Sequence, residues 1–326
     1  MMATRIKCIP FVLLALLLVG AQLSGQEWEK SRQFSAREAR QAAAADHDFV
    51  YAINNKQVAK YDRESDERIA TSQGEAHHLN SGFLWGGNLY CAHSNYPGIP
   101  EQSQIKVLDV NTMQLETFKD FGDDYVGSLT WVVRHNDHWW CNFARYKDKK
   151  AETFLAKFDM DWNEQARWTY PEQVLEGLGE FSISGGVWRE NELLVTGHHE
   201  KVLFRLTLPE AGNELAYAGY YRVPFTGQGI AFDPKSGGMV GIIRSWLGQS
   251  QIVFASPPRL SQIEKNVKHV ENEAPVSGNA TQSASPVSVF ESPSSGCCDF
   301  FDPCCQRGIR RGWFVRCRAR VVARRK

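Results

Sequence analysis

Residues 78–93 read HLNSGFLWGGNLYCAH, and this stretch decides the fold. Its first half passes from polar to apolar residues, a Gly-Gly pair follows, and its second half is almost wholly apolar. Short apolar runs separated by turn residues are typical of β-strands, and a glycine pair between two such runs is typical of a hairpin. The stretch therefore predicts two antiparallel strands, of which the second is buried.

The same unit occurs five times between residues 26 and 258, at a spacing of about 40–50 residues that is typical of propeller blades. Its copies begin near residues 41, 78, 127, 184 and 227. A third strand follows in every copy, and a fourth, outer strand follows in all but the last. A strand-like segment at residues 28–34 precedes the first copy. We predict an all-β, five-bladed β-propeller that this N-terminal segment closes by supplying the missing outer strand.

The overall charge and the N-terminal segment indicate the expected partners and localisation of the protein. The 37 basic and 37 acidic residues balance, so the overall charge favours neither nucleic acid nor an acidic membrane as partner. Arg5 and Lys7 precede an apolar run at residues 9–19, which predicts a signal peptide over residues 1–25. This run is shorter than the roughly 20 residues of a membrane span. We expect a secreted or periplasmic monomer without a transmembrane segment.

The propeller domain is predicted over residues 26–260. Residues 261–326 are rich in Ser and Pro and then in Cys and Arg, without periodicity, which is typical of a disordered tail. The neighbouring cysteines of this tail lack the spacing of a zinc knuckle. Cys91 and Cys141 occupy the same place in two successive units, too far apart for a disulfide. We therefore expect two separate buried thiols.

Polar side chains gather where the first strand of a unit begins and where its second strand ends, and both places lie on one face of a propeller. At the strand starts these are Glu38, His78, Asp124 and Gln228, and at the strand ends Asn54, His93, Arg145, His198 and Arg244. Any one of them is explained by the exposure of strand ends. Their joint placement, from five units, predicts a functional site on this face.

The basic members of this set indicate an anionic ligand. Arginine binds a carboxylate through paired donors, so Arg145 and Arg244 are the predicted ligands of a small, carboxylate-bearing substrate. His78, Asn54 and Gln228 are predicted to complete the substrate-binding site. No P-loop, dinucleotide fingerprint or serine-nucleophile elbow occurs in the sequence, and we expect no cofactor and no resident metal.

The histidines indicate proton transfer, because imidazole exchanges protons near neutral pH. We predict that His93 or His198 is the catalytic group and that Glu38 or Asp124 orients it. These roles fit an enzyme that transfers a proton to or from a small anionic substrate.

Six phrases carry a resemblance to known proteins: EARQAAAAD at 38–46, HSNYP at 93–97, GSLTW at 127–131, SGGVW at 184–188, TGH at 196–198 and GQGIA at 227–231. They resemble a family of exported bacterial propeller proteins that is frequent in planctomycetes and sometimes labelled cycloisomerase. The likeness spans about residues 28–258 and implies an isomerase of the lactonising type. The chain departs from the family pattern at Arg145, where the family has His, and at His199, where it has Asp.

Two alternatives stay open. A non-catalytic propeller would use the same face to bind a sugar or a protein. A metal-dependent lactone hydrolase would use His78, His93 and His198 as ligands, since imidazole suits zinc and similar ions. No short-range ligand spacing supports this metal site, so we rank it below the metal-free isomerase.

Overall fold

The computed structural model describes residues 27–245 and 249–258. The predicted signal peptide and the tail at residues 261–326 lie outside these residues. Within the described part, strands form nearly all the regular structure, interrupted by a 3-10 helix at Lys147–Glu152 and one short α-helix, α1, at Glu172–Gly177. The all-β prediction is confirmed. No helix in this part of the chain has the length and apolar character needed to cross a bilayer.

Among the described residues, a single N-terminal strand, β1 (Glu29–Ser35), is followed by four groups of four strands and a last group of three. The first group is β2 (Ala42–Ala45), β3 (Phe49–Ile53), β4 (Val58–Asp62) and β5 (Arg68–Thr71). The second is β6 (His78–Trp85), β7 (Asn88–Ser94), β8 (Ser103–Asp109) and β9 (Leu115–Asp120). The third is β10 (Ser128–His135), β11 (His138–Ala144), β12 (Phe154–Phe158) and β13 (Glu164–Thr169). The fourth is β14 (Gly185–Arg189), β15 (Glu192–Thr196), β16 (Val202–Thr207) and β17 (Ala216–Arg222). The last has β18 (Thr226–Asp233), β19 (Gly238–Ile243) and β20 (Gln251–Ser256).

Neighbouring strands within each group pair antiparallel, in chain order. The second, third and fourth groups are separate four-stranded sheets. In the last group β1 pairs with β20, with Phe34 opposite Ile252, so the N-terminal strand stands beside the last strand as expected. A single parallel bridge between Gly229 and Ala42 joins this group to the first, which makes one eight-stranded sheet.

The first strands of the groups form a ring. β2 contacts β6, β6 contacts β10, β10 contacts β14, β14 contacts β18, and β18 contacts β2. Small residues allow this approach: a Cβ added at Gly229 would lie 2.6 Å from the Cβ of Ala42, and one added at Gly186 would lie 2.5 Å from the ring of Trp131. The arrangement is β-propeller-like, with the hydrophobic core between neighbouring sheets.

Cys91 and Cys141 are both free and buried, which confirms the prediction of two separate thiols. Burial raises the pKa of Cys91 to about 12 and also raises that of Cys141. Since the thiolate is the reactive form, neither side chain has the character of a nucleophile.

A buried ion pair connects the first and last groups of strands. The Nη2 of Arg63, in the turn after β4, lies 2.6 Å from the Oδ2 of Asp233 at the end of β18, and both side chains are almost fully buried. Arg63 also donates to the carbonyl of Asp46 at 2.7 Å and lies over the ring of Phe254. The pair therefore links the first and the last group of strands.

Replacement of Asp233 by Asn should destabilise the protein, because the Arg63 guanidinium then stays buried without its counter-charge. Breaking a buried pair in this way costs about 3–5 kcal/mol, and urea denaturation at pH 7 measures the loss. Asp137→Asn is the control: Asp137 is 96% exposed, 3.6 Å from Arg134, and its loss should cost less than about 1 kcal/mol. Equal losses in the two variants would contradict the role of the buried pair.

The Arg63–Asp233 pair makes the stability difference between wild type and Asp233→Asn depend on pH. Burial acts to raise the pKa of Asp233, but hydrogen bonds from Arg63 and Ser236 outweigh it and the pKa is lowered. A lowered folded-state pKa contributes stability above the unfolded-state pKa, and this contribution is lost as the pH falls through the folded-state value. The difference in the free energy of unfolding between wild type and Asp233→Asn should therefore become smaller at acidic pH.

Candidate functional site

A cavity of about 340 Å³ opens where loops from all five groups of strands meet, and we call it the central cavity. Gln41 and Asn55 come from the first group, and His78, Asn80 and Tyr96 from the second. Thr130, Tyr146 and Lys147 come from the third group and the 3-10 helix, and Gln228 and Arg244 from the last. Glu180, Phe181, Ser182, Ser184 and His198 come from the fourth group and the segment before it.

The structure brings four of the nine predicted site residues together at this cavity: His78, His198, Gln228 and Arg244. The other five lie elsewhere and do not line it: Glu38, Asn54, His93, Asp124 and Arg145. The face was therefore predicted better than the individual side chains.

His198 follows β15 and is held on three sides. Its ring stacks on Phe181, with centroids 3.9 Å apart and an angle of 6° between the planes. Its Nδ1 lies 2.9 Å from Nε2 of His199, and its Nε2 lies 3.4 Å from the Nη2 of Arg244. Arginine only donates, so Nε2 of a neutral His198 accepts and Nδ1 carries the proton towards His199.

The electrostatics of the central cavity keep its imidazoles neutral. Burial, followed by Arg244 and His199, lowers the pKa of His198 to about 3. Burial and Arg244 also lower the pKa of His78. Burial together with Arg40 lowers the pKa of Arg244 to about 10, which still leaves it charged at pH 7. The cavity thus places a desolvated cation beside neutral imidazoles, and two side chains of opposite charge, Lys147 and Glu180, also line it.

Gln228 has a φ of 110°, a conformation that residues with a side chain rarely adopt. Its N–H donates to the carbonyl of Gly197 at 2.8 Å, and its own carbonyl accepts the Thr196 hydroxyl at 2.6 Å. Its Nε2 donates to the carbonyl of His198 at 3.1 Å. A Cβ at Gly185 would lie 2.5 Å from the Gln228 carbonyl oxygen, so only glycine leaves room there. Strain that its surroundings enforce in this way is characteristic of functional sites.

The 3-10 helix borders the central cavity through Lys147, and α1 lies just before Glu180 and Phe181, which also line it. Lys150, in the 3-10 helix, donates from Nζ to the carbonyl oxygens of Leu175 and Gly179, each at 2.6 Å. These carbonyls belong to α1 and the turn after it, from which the chain leads directly to Phe181. Lys150 therefore fixes the segment that places Phe181 against His198.

His93, a predicted catalytic group, is buried inside β7. Its Nε2 accepts the backbone N–H of His77 at 3.0 Å, and this hydrogen bond occupies the lone pair that a general base needs. Burial, followed by the charge of Lys106, lowers its pKa to about 4. His93 is therefore a buried residue of β7 that does not line the central cavity.

Glu38 and Asp124, the predicted orienting carboxylates, are also away from the central cavity. Glu38 is 1% exposed, accepts the hydroxyl of Tyr61, and pairs with Arg37 at 2.8 Å and Arg68 at 2.6 Å. Burial acts to raise its pKa, but these hydrogen bonds outweigh it and the pKa is lowered. Asp124 lines a different cavity, in the turn after β9.

Arg145 and Asn54, two predicted substrate ligands, have other partners. Nη1 of Arg145 lies 2.6 Å from Glu101, and its Nε lies 3.6 Å from Glu152. Asn54 Oδ1 accepts backbone N–H groups two and three residues further on, at 2.8 and 3.0 Å, and so closes a turn. The next residue, Asn55, lines the central cavity instead.

Sequence reasoning missed Lys147 and Phe181, among other residues of the cavity. Both lie in segments that have no counterpart in the other units, the 3-10 helix and the chain after α1. The extra length of the connection between β13 and β14, which carries Phe181, was the available signal. Lys147 itself has a φ of 58°, in the left-handed region that residues with a side chain rarely adopt.

No three His, Cys, Asp or Glu side chains in residues 27–245 and 249–258 form a group that could hold a metal ion. The structure therefore does not gather His78, His93 and His198 into the ligand set on which the hydrolase alternative depends.

Comparison with known proteins finds likeness in structure alone. No protein-family model matches the chain, and no curated protein is significantly similar to it in sequence. Glutaminyl cyclase of Myxococcus xanthus is similar in structure, with a TM-score of 0.47, 9% identity, and coverage of 70% of this chain and 95% of that one. The WD40 repeats of RRP9 have a TM-score of 0.38, 11% identity, and coverage of 65% and 79%. Likenesses of this degree carry no information about activity.

Replacement of Lys150 by Met should loosen the stack of Phe181 on His198, because α1 and its turn lose both hydrogen bonds from the ammonium group. We expect the His198 ring protons to lose the ring-current shift of the stack and the pKa of His198 to rise towards 6.5. Proton NMR titration of the histidines measures both. Lys149→Met, one residue earlier and exposed, is the control. An unchanged His198 spectrum in Lys150→Met would show that Lys150 has no positioning role.

Proposed function

We propose that this chain is an exported, monomeric, five-bladed β-propeller that binds a small carboxylate-bearing molecule in its central cavity and isomerises it in a cycloisomerase-like reaction. The observation that carries the proposal is the neighbouring pair of Arg244 and His198, a charged guanidinium 3.4 Å from a neutral imidazole in a half-buried site. The closed ring of first strands supports the five-bladed architecture. The apolar run at residues 9–19 supports export, and the family resemblance of the sequence agrees with an isomerase.

Arg244 is the group that would hold the carboxylate. Desolvation already lowers its pKa, so an anion that replaces lost water interactions stabilises its charged form. Its contact with His198 Nε2 is long for a hydrogen bond, which lets a carboxylate oxygen take that place. Gln228, whose second amide hydrogen remains available beside His198, would orient the ligand.

His198 would move the proton. A bound carboxylate neutralises the charge of Arg244, one of the causes of the low pKa of His198, so binding raises that pKa towards the working range. In the lactonising direction a carboxylate oxygen adds to a C=C bond, and the π electron pair takes the proton from Nε2 of the imidazolium. The reverse reaction returns that proton to Nε2 as the C–O bond breaks. His199 accepts from Nδ1 and keeps the ring oriented.

Replacement of Arg244 by Gln should weaken binding of the carboxylate that best stabilises the protein in a thermal-shift screen. Hydrogen bonds to a charged group contribute about 1.5–3 kcal/mol, so we expect Kd to rise about tenfold to a hundredfold by calorimetry. Arg222→Gln, at an exposed position at the end of β17, is the matched control. In the wild type the same ligand should raise the pKa of His198, followed by NMR. A ligand that binds wild type and Arg244→Gln with equal affinity would contradict the proposal.

Replacement of His198 by Gln should abolish proton transfer while binding persists. Wild-type protein in D₂O, supplied with unsaturated acids and lactones that stabilise it, should introduce deuterium at carbon, which mass spectrometry detects. Loss of the general acid–base group should lower the rate about 10²–10⁴-fold. His199→Gln is expected to retain part of the activity, since it acts only on the orientation of His198. Binding without deuterium incorporation in the wild type would instead identify a non-catalytic binding module.

A further inference from the structure

A second cavity, also of about 340 Å³, lies beside the central cavity, and we call it the side cavity. The loops after β7 and β11 border both. Tyr96 and Tyr146, whose rings contact each other at 4.9 Å, come from these loops and line the central cavity. Ile99 and Arg145, from the same loops, line the side cavity. The same two loops therefore contribute side chains to both cavities.

The side cavity exposes aliphatic side chains to water. Ile99 is 92% exposed and Val126 is 55% exposed, and both line it. A single exposed aliphatic residue is ordinary, but a cluster marks a binding surface. Tyr96 and Phe181, at the central cavity, are also more than one-third exposed. Four exposed hydrophobic residues thus surround these two cavities.

The charged groups of the side cavity leave little attraction for a second anion. Arg145 pairs with Glu101 and Glu152, so its charge is already compensated. The remaining charged side chains, Asp123 and Lys149, have opposite signs. A ligand group that lies there gains more from covering Ile99 and Val126 than from an additional charge.

We propose that the side cavity is an apolar subsite for the same ligand, which then carries an aliphatic chain, or a similar apolar group, besides its carboxylate. This inference rests on the proposed binding of the carboxylate at Arg244. The carboxylate lies in the central cavity, and the chain passes Tyr96 and Tyr146 to cover Ile99 and Val126.

Calorimetry with butyrate, octanoate and dodecanoate tests the subsite. Burial of each methylene contributes about 0.8 kcal/mol, about fourfold in Kd, so even partial burial should make dodecanoate bind at least about tenfold more tightly than butyrate. The double variant Ile99→Asp/Val126→Asp should lose this gain and keep its affinity for butyrate. Ile69→Asp is the matched control, because Ile69 is 51% exposed but lies on the outer strand β5. All three positions are exposed, so unchanged melting temperatures are expected.

The outcomes separate the subsite from the proposed function. Binding of butyrate without a gain from chain length overturns the subsite and leaves the carboxylate site intact. A gain that persists in the double variant also overturns the subsite, as the chain then lies elsewhere. An increase in affinity with chain length that is lost in the double variant but unchanged in Arg244→Gln supports the subsite, and equal affinities of wild type and Arg244→Gln overturn the proposed carboxylate site. Failure of all three acids to bind overturns both.

Discussion

The approach of the first strands to one another is the constraint on which the rest of the structure depends. Five strands meet in a closed ring only where their side chains are small, as at Ala42 and Gly229, whose Cβ positions would be 2.6 Å apart. Gln228, the residue before Gly229, has an unusual φ of 110°. The strand that packs closely at the centre thus also carries a polar side chain that lines the central cavity.

The ring and its hairpins could be predicted because their signals are local. Each predicted copy of the unit begins within one residue of the observed first strand, and the pairing of the N-terminal strand with the last one followed from counting outer strands. These features depend on periodicity, glycine turns and the need to cover open sheet edges. The loops that carry the 3-10 helix and α1 have no such repeat. Their contributions, Lys147 and Phe181, therefore stayed unpredicted.

Two of the misplaced site residues miss the cavity by a single position. Adjacent side chains of an extended chain point in different directions, so an error of one residue moves a side chain out of a site. Asn54 closes a turn whereas Asn55 lines the cavity, and Arg145 pairs with Glu101 whereas Tyr146 lines the cavity. Alignment of the units to within about one residue was sufficient to find the correct face. It was not sufficient to decide which of two adjacent side chains reaches the cavity.

Three arginines of the described residues have different surroundings. Arg63 and Arg145 face carboxylates, and their partners make them structural. Arg244 lies against the neutral imidazole of His198 and near the cation Arg40, and its pKa is lowered. Under the proposed function, an anion bound beside Arg244 would offset the charge that, after burial, contributes to the low pKa of His198. Binding of that ligand and the proton affinity of His198 would then be coupled through this guanidinium, and protonated His198 would be confined to the liganded state.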